Sequence, residues 1–320
     1  MSGIRSFLLR SLGFAAFCAA FYPLYIAVLG FAMPDGFAPN IRYPLNAEGC
    51  LRTRIAEAVD HKPVDIVFLG SSHAYRGFDP RIWTRHGYSS FNLGSSAQTP
   101  IQTELMVLEY VPRLKPKLVI FEVHPGAFRD EGIESALDMI ANRRIDRHAF
   151  RMAMRLRHPF VWNALAYGLI RRIVGLDARI PEPIIRGKDR YIHGGFVERT
   201  AEYFRPEVPP IRRISSPKAL QVEAFHRILR VLSDEDVKVL LIEAPVTRWM
   251  SEGIFPERQR FDSVMTASGD YINMNEKVEL SDSLHFATMS HLNQAGVGLF
   301  NEALIDTLER RGWLPEPSMP

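Results

Sequence analysis

A run of 22 residues without a charged side chain, Leu12 to Met33, is the feature that most constrains this chain. As a helix rising about 1.5 Å per residue, it would be about 33 Å long, enough to cross a hydrocarbon core of about 30 Å. Arg5 and Arg10 precede the run, and the next basic residue is Arg42. Because positive charge stays on the cytoplasmic side, the sequence predicts a single-pass inner-membrane protein with an external C-terminal domain.

A cleaved signal peptide is the alternative interpretation of the same run. Its apolar part would be about 7–15 residues long and would end in small residues at a cleavage site. The run here is longer, and bulky Phe, Tyr and Leu side chains crowd its end. Phe17 before Cys18 argues against a lipoprotein. We therefore expect a cytoplasmic stub and transmembrane anchor at 1–33, followed by a Pro- and Gly-rich linker at 34–45.

The composition of the 320 residues excludes several classes of protein. Hydrophobic residues make up 47% of the chain and charged residues 23%, which excludes a disordered chain and a polytopic membrane protein. A net charge of +3 gives no reason to expect a nucleic-acid partner. The two cysteines, Cys18 and Cys50, form no CxxC motif and no disulfide framework. The sequence therefore predicts no metal site and no cofactor.

Short apolar runs alternate with helical segments over most of the remaining chain. The runs predict five strands, at 64–70, 87–94, 117–123, 237–244 and 271–274. Helices are predicted between and after them, at 51–59, 98–111, 219–232 and 292–311. This alternation predicts an α/β fold: a flavodoxin-like, three-layer parallel sheet covered by helices on both faces. Ligands of such folds bind at the carboxyl ends of the strands.

Residues 129–216 interrupt this alternation and are too long for an ordinary crossover. The sequence therefore predicts an α/β domain at 46–128 and 217–313, with a largely helical insertion at 129–216. Between Asn142 and Arg190 the insertion carries eleven Arg and one Lys against four acids, a local net charge of +8. This cluster indicates either an ordinary solvated surface or a contact with anionic lipid headgroups or an anionic glycan.

Three short motifs place chemically useful residues where strands end or the last helix begins. Gly70-Ser71-Ser72 follows the first strand, and Asn92-Leu93-Gly94 follows the second. His285 and His291 precede the last helix. Each serine motif alone is also typical of a helix N-cap. A histidine that reaches a serine hydroxyl can act as its general base.

Together the three motifs resemble those of the SGNH (GDSL-type) hydrolase superfamily. The resemblance implies that Ser72 is the nucleophile and that the amides of Ser72 and Gly94 form the oxyanion hole. It implies that His291, followed by Leu292-Asn293 and Gly296, is the base. The match is greatest with membrane-anchored members, which resemble proteins that act beside membrane-bound O-acyltransferases in teichoic-acid D-alanylation and alginate acetylation. The resemblance covers about residues 60–125 and 235–310.

The chain departs from the superfamily pattern at three places. Ser71 stands where an aspartate usually precedes the nucleophile, and Thr288 stands where the catalytic acid is expected, three residues before His291. Asp282 could supply the carboxylate instead, or Asp282 and His285 could themselves form the acid–base pair. The asparagine of the third motif is also missing, and His124 is the side chain there that could complete the oxyanion hole.

The resemblance implies a membrane-anchored serine esterase or acyltransferase that acts on O-acyl groups of a cell-envelope or exported polysaccharide. The substrate would be an acylated glycan, and a membrane-bound O-acyltransferase is a possible partner. A second hypothesis, which Thr288 favours, is a catalytically weak scaffold that binds a glycan or such an acyltransferase. A third is a flavodoxin-like phosphate-binding domain, but Gly70-Ser71-Ser72 lacks the Gly-rich, Lys-containing pattern of a phosphate loop.

Overall fold

The computed structural model describes residues 2–33, 41, 43–45, 49–176, 182–199, 202–205, 216–252 and 255–317. Most of the predicted linker at 34–45, and the expected domain start at Asn46, lie outside these residues. The helices are α1 Ser2–Ala32, α2 Leu51–Asp60, α3 Ser72–Gly77, α4 Pro80–Arg85, α5 Pro100–Leu114, α6 Pro125–Arg129, α7 Ile133–Asn142, α8 Arg147–Leu156, α9 Pro159–Ile173, α10 Ala219–Asp234, α11 Arg248–Glu252, α12 Phe255–Ser268, α13 Asp282–His285 and α14 Gln294–Arg310. The strands are β1 Ile66–Leu69, β2 Ser90–Asn92, β3 Leu118–Glu122, β4 Ile185–Arg186, β5 Asp189–Ile192, β6 Phe196–Arg199, β7 Lys238–Glu243 and β8 Tyr271–Asn273.

Five parallel strands form the central sheet, in the order β2-β1-β3-β7-β8. All five lie within the predicted strand segments, so the strand predictions are confirmed. The first strand shows why both faces are covered: Val67 and Leu69 pack into one hydrophobic cluster, and Ile66 and Phe68 into another. Side chains alternate across a strand, so a continuous apolar run feeds two cores at once.

Helices cover the two faces of the sheet as the sequence predicts. On one face, α5 and α10 contribute Leu105 and Phe225 to the larger cluster. On the other face, α4 and α14 contribute Trp83 and Phe300. Local signals fix where these helices begin: Thr99 and Gln102 form a capping box at α5, and Asn293 caps α14 by accepting from the Gly296 amide. The three-layer α/β prediction is confirmed.

The insertion contains helices α7, α8 and α9, but also an antiparallel sheet of β4, β5 and β6. The prediction of a largely helical segment missed this sheet. Its strands are two to four residues long and mix charged with apolar side chains, so they show no clear two-residue period. A bidentate ion pair between Arg76 of α3 and Asp189 of β5, 2.7 Å at its closest, holds the sheet against the central domain.

The N-terminal helix α1 is the one described helix that is long and apolar enough to cross a membrane. Most of its side chains are exposed, but its C-terminal part contacts α9 of the insertion. The Tyr22 hydroxyl donates to Oδ1 of Asn163, and the rings of Phe31 and Tyr167 meet edge to face with centroids 5.3 Å apart. Helix α1 therefore packs on the insertion rather than on the central sheet.

Candidate active site

Ser72 lies at the carboxyl edge of the central sheet, where β1 passes into α3. Gly70 makes the turn with φ of +137°, and a Cβ there would lie 2.7 Å from Oε2 of Glu122, so only glycine fits. Ser71 is the N-cap, whose hydroxyl accepts from the His73 amide. Ser72 is thus the first residue of the helix and is half-buried.

His291 reaches the same edge from a closed loop before α14. Phe286 and Leu292 form an antiparallel bridge at the base of this loop, and the Ala287 amide donates to the His291 carbonyl (2.9 Å). The Thr247 hydroxyl, beyond the end of β7, donates to the Met289 carbonyl (2.8 Å). The loop is therefore tied both to itself and to the sheet.

The structure brings Ser72 and His291 together, although 219 positions separate them. Oγ of Ser72 lies 2.8 Å from Nε2 of His291. On the other side of the ring, Nδ1 of His291 lies 3.0 Å from Oγ1 of Thr288. That hydroxyl also accepts from the amides of His291 (3.2 Å) and Ser290 (3.4 Å), and the Ser290 hydroxyl lies 3.5 Å from Nδ1. With the proton on Nδ1, the Nε2 lone pair faces the serine hydroxyl.

The surroundings keep the His291 ring neutral. Burial lowers the pKa of His291 well below its usual value, and His73, Arg76 and Arg199 lower it further. A neutral imidazole can take a proton from Ser72 at neutral pH. The imidazolium that forms has the neutral hydroxyls of Thr288 (3.0 Å) and Ser290 (3.5 Å) beside Nδ1, where a serine triad has a carboxylate.

Asp282, the predicted acid, is held elsewhere. Its carboxylate accepts from the amides of Arg248 (2.9 Å) and Trp249 (3.2 Å), at the start of α11. Thr288 occupies the position beside Nδ1 that Asp282 was expected to fill. The alternative base, His285, instead has Nδ1 accepting from the Ser281 amide (2.8 Å). The arrangement therefore corrects the sequence expectation: Ser72 and the hydroxyls of Thr288 and Ser290, not Asp282, are the side chains in contact with the His291 ring nitrogens.

The predicted oxyanion donors differ in what they do. The Gly94 amide donates to Oδ1 of Asn92 (3.0 Å), so it is already engaged, contrary to the expectation. The glycine instead permits close packing, because a Cβ there would lie 2.8 Å from the Ser71 carbonyl oxygen. Nδ1 of His124 accepts from the Gly126 amide (3.1 Å) and caps α6. The Ser72 amide lies in the first turn of α3, where a helix offers its N–H groups no partner.

Two residues beside Ser72 were missed from the sequence. His73 stacks between two imidazoles, with ring centroids 4.4 Å from His124 and 5.2 Å from His291. Nδ1 of His73 lies 3.0 Å from Oγ of Ser71. Burial lowers the pKa of His73 to about 4, so this ring too is neutral at pH 7. A histidine directly after the serine was the signal that could have found it.

Glu122 is the second missed residue and lies beneath the serine turn. Its Oε2 accepts from the amide (3.2 Å) and the hydroxyl (3.1 Å) of Ser71. Burial raises the pKa of Glu122 to about 8, since a charged carboxylate there would be desolvated. An acid at the end of a buried strand was the signal in the sequence.

No family model matches this chain, and no curated protein matches it. Solved structures do resemble it. A GDSL-like lipase from Bacteroides thetaiotaomicron is 14% identical with a TM-score of 0.40; the match covers 82% of this chain and 98% of that one. A lipase/acylhydrolase from Enterococcus faecalis is 12% identical with a TM-score of 0.24, covering 80% of this chain and 99% of that one.

Proposed function

We propose that the chain is a membrane-anchored serine esterase or acyltransferase that works through an acyl-enzyme on Ser72. The observation that carries this is the 2.8 Å approach of Ser72 Oγ to His291 Nε2 at the carboxyl edge of a parallel sheet. Covalent acyl transfer needs a nucleophile within hydrogen-bond reach of a base, and a third group that orients the base. Here Thr288 is the orienting group.

In the proposed reaction, Oγ of Ser72 attacks the carbonyl carbon of an ester while its proton passes to Nε2 of His291. The oxyanion that forms accepts from the Ser72 amide at the start of α3. Collapse of this intermediate breaks the ester bond, and the leaving alcohol takes the proton from Nε2. Water or a sugar hydroxyl then loses its proton to Nε2 and attacks the acyl carbon. The bond from that carbon to Oγ breaks, and Nε2 returns the proton to Oγ, which regenerates Ser72.

The proposed substrate is an O-acyl group of a cell-envelope or exported polysaccharide, and a membrane-bound O-acyltransferase is the proposed partner. The apolar helix α1 supports a membrane anchor. The insertion supports an anionic surface or glycan as its neighbour, since Arg144, Arg151 and Arg157 are exposed there. By the positive-inside rule, we propose that the catalytic domain lies on the external side.

Labelling with a serine-directed fluorophosphonate tests the activity directly. The full chain in detergent should be labelled on Ser72, and Ser72→Ala should abolish the label. Ser96→Ala is the matched control, because Ser96 also follows a strand of the central sheet but its hydroxyl contacts Tyr75 (3.0 Å) rather than an imidazole. A wild-type chain that stays unlabelled, or a label that persists in Ser72→Ala, would refute the proposal.

A catalytically weak scaffold is the second candidate. Two observations favour it: Thr288 replaces a carboxylate beside His291, and the Gly94 amide is engaged by Asn92. A scaffold predicts that wild type is not labelled and that Ser72→Ala leaves the cellular function intact. An enzyme predicts that this variant behaves like a deletion.

A further inference from the structure

Helix α9 of the insertion packs along the C-terminal half of α1. Pro23, Ile26, Ala27 and Gly30 follow an i, i+3, i+4, i+7 spacing that puts them on one side of α1, and the last three are buried. Gly30 lets the Tyr167 ring approach, because a Cβ there would lie 2.4 Å from the ring carbon Cε2. The contact is therefore a helix–helix interface in which a glycine permits close approach.

The position of this interface sets its depth in a membrane. It extends from Tyr22 to Phe31, and Tyr22 is at the middle of the charge-free run Leu12–Met33. If that run crosses the hydrocarbon core, the interface lies in the half nearer the catalytic domain. At about 1.5 Å per residue it is about 14 Å long, close to the thickness of one leaflet of hydrocarbon.

The composition of α9 suits that depth. Residues 159–170 contain no charged side chain, and Arg157 and Arg171 stand just outside this segment. The side of α9 that faces away from the protein exposes Trp162, Leu169 and Ile173, the last by 84%. On α8, which packs against α9, Phe150 and Met154 are exposed as well.

This apolar surface lies beside the membrane-crossing helix. Soluble proteins rarely leave a contiguous apolar patch of this kind in water. Exposed apolar side chains between arginines are typical of a helix that lies at a membrane interface.

We propose that α9 is inserted into the membrane leaflet nearer the catalytic domain, with the exposed apolar side chains of α8 and α9 in contact with lipid. The occupant of this surface is the phospholipid bilayer that α1 crosses. The inference rests on the membrane anchor proposed above, but not on the serine chemistry. Membrane insertion of α9 would determine the distance and orientation of the carboxyl edge of the sheet relative to the bilayer, because α9 packs on α7 and the central domain.

Quenching of tryptophan fluorescence tests the insertion, because α1 contains no tryptophan. The full chain is reconstituted in phosphatidylcholine–phosphatidylglycerol vesicles with or without bromine near the middle of the acyl chains. We expect brominated lipid to quench the wild type. Trp162→Phe should remove most of this quenching.

Trp313→Phe is the matched control, since Trp313 packs with the cluster on the opposite face of the sheet. That variant should keep the quenching of the wild type. Wild-type protein that floats with the vesicles without being quenched, or that is quenched equally in Trp162→Phe, would overturn the insertion while leaving the anchor intact. Protein that does not float with the vesicles would overturn both. Labelling of Ser72 in detergent depends on neither result, so the two proposals can fail separately.

A second measurement does not rely on tryptophan. Spin labels are placed at Leu169→Cys and Leu299→Cys, both exposed positions, in a Cys18→Ser background; Cys50 is buried. A label at 169 should be more accessible to lipid-soluble oxygen than to a water-soluble nickel chelate. A label at 299, on α14, should show the reverse preference. Preference for the nickel chelate at both positions would refute insertion.

Discussion

The loop that carries Ser72 and the loop that carries His291 are held in different ways. The Ser72 turn is fixed by a glycine that no other residue can replace, a cap and a buried acid beneath it. The His291 loop is held by hydrogen bonds from Ala287 and Thr247, and Nδ1 of its ring faces neutral hydroxyls rather than a carboxylate. The site therefore places a hydroxyl and an imidazole as acyl transfer requires, but it lacks the carboxylate whose charge usually stabilises the imidazolium.

Removing the imidazole should have the largest effect. We expect His291→Asn to slow fluorophosphonate labelling of Ser72 by about 10³- to 10⁶-fold, because the hydroxyl then has no base. His285→Asn is the matched control and should label at the wild-type rate, since His285 Nδ1 is engaged by the Ser281 amide. The measurement is the second-order labelling rate followed by mass spectrometry. Equal losses in both variants would mean that labelling needs His285 as much as His291, contrary to this geometry.

The sequence predicted the local structure around Ser72 better than that around His291. A buried strand, a glycine and a serine cap are local signals, and each leaves a mark within a few residues. Whether Asp282 or Thr288 faces Nδ1 depends on how the 286–292 loop closes and on which amides Asp282 caps. Those contacts join segments far apart along the chain, such as Asp282 with Arg248. The antiparallel sheet of the insertion was missed for a related reason, because its short strands are stabilised by contacts such as Arg76 with Asp189.

A carboxylate placed beside Nδ1 of His291 should raise the rate at which Ser72 is labelled. In Thr288→Asp a carboxylate would stand beside Nδ1, raise the pKa of His291 and stabilise the imidazolium. We expect labelling of Ser72 to accelerate by about tenfold to a thousandfold, given the cost of removing that carboxylate from a triad. The acid limb of the rate profile should move to higher pH with it. Thr288→Val, which keeps the shape but loses the acceptor, should slow labelling; an acceleration in both variants would contradict the proposed role of charge.

Replacing the acid beneath the Ser72 turn should change how stability depends on pH. Because burial raises the pKa of Glu122 to about 8, the unfolded chain loses this proton near pH 4.5 while the folded chain keeps it. The contribution of the Glu122 carboxyl to the free energy of unfolding is therefore full below pH 4.5 and is lost as pH rises through about 8.

In Glu122→Gln the free energy of unfolding should fall less as pH rises towards 8. Denaturant titrations at a series of pH values measure this. The acid side should stay close to that of wild type, because His73, whose pKa burial lowers to about 4, is still buried there in the variant. If the free energy of unfolding of the variant fell above pH 5 as steeply as that of wild type, Glu122 would be charged in the folded protein.

The smallest effect is expected at Asp282, and it separates a structural acid from a catalytic one. Its carboxylate accepts from the amides of Arg248 and Trp249, so Asp282→Ala removes a cap and should cost about 1 kcal/mol in the free energy of unfolding. Asp282→Asn keeps an acceptor oxygen and should cost less. Labelling of Ser72 should keep the wild-type rate and pH profile in both variants. A rate that falls as far as in His291→Asn would instead make Asp282 the acid of the site, reached through a loop arrangement other than the one described.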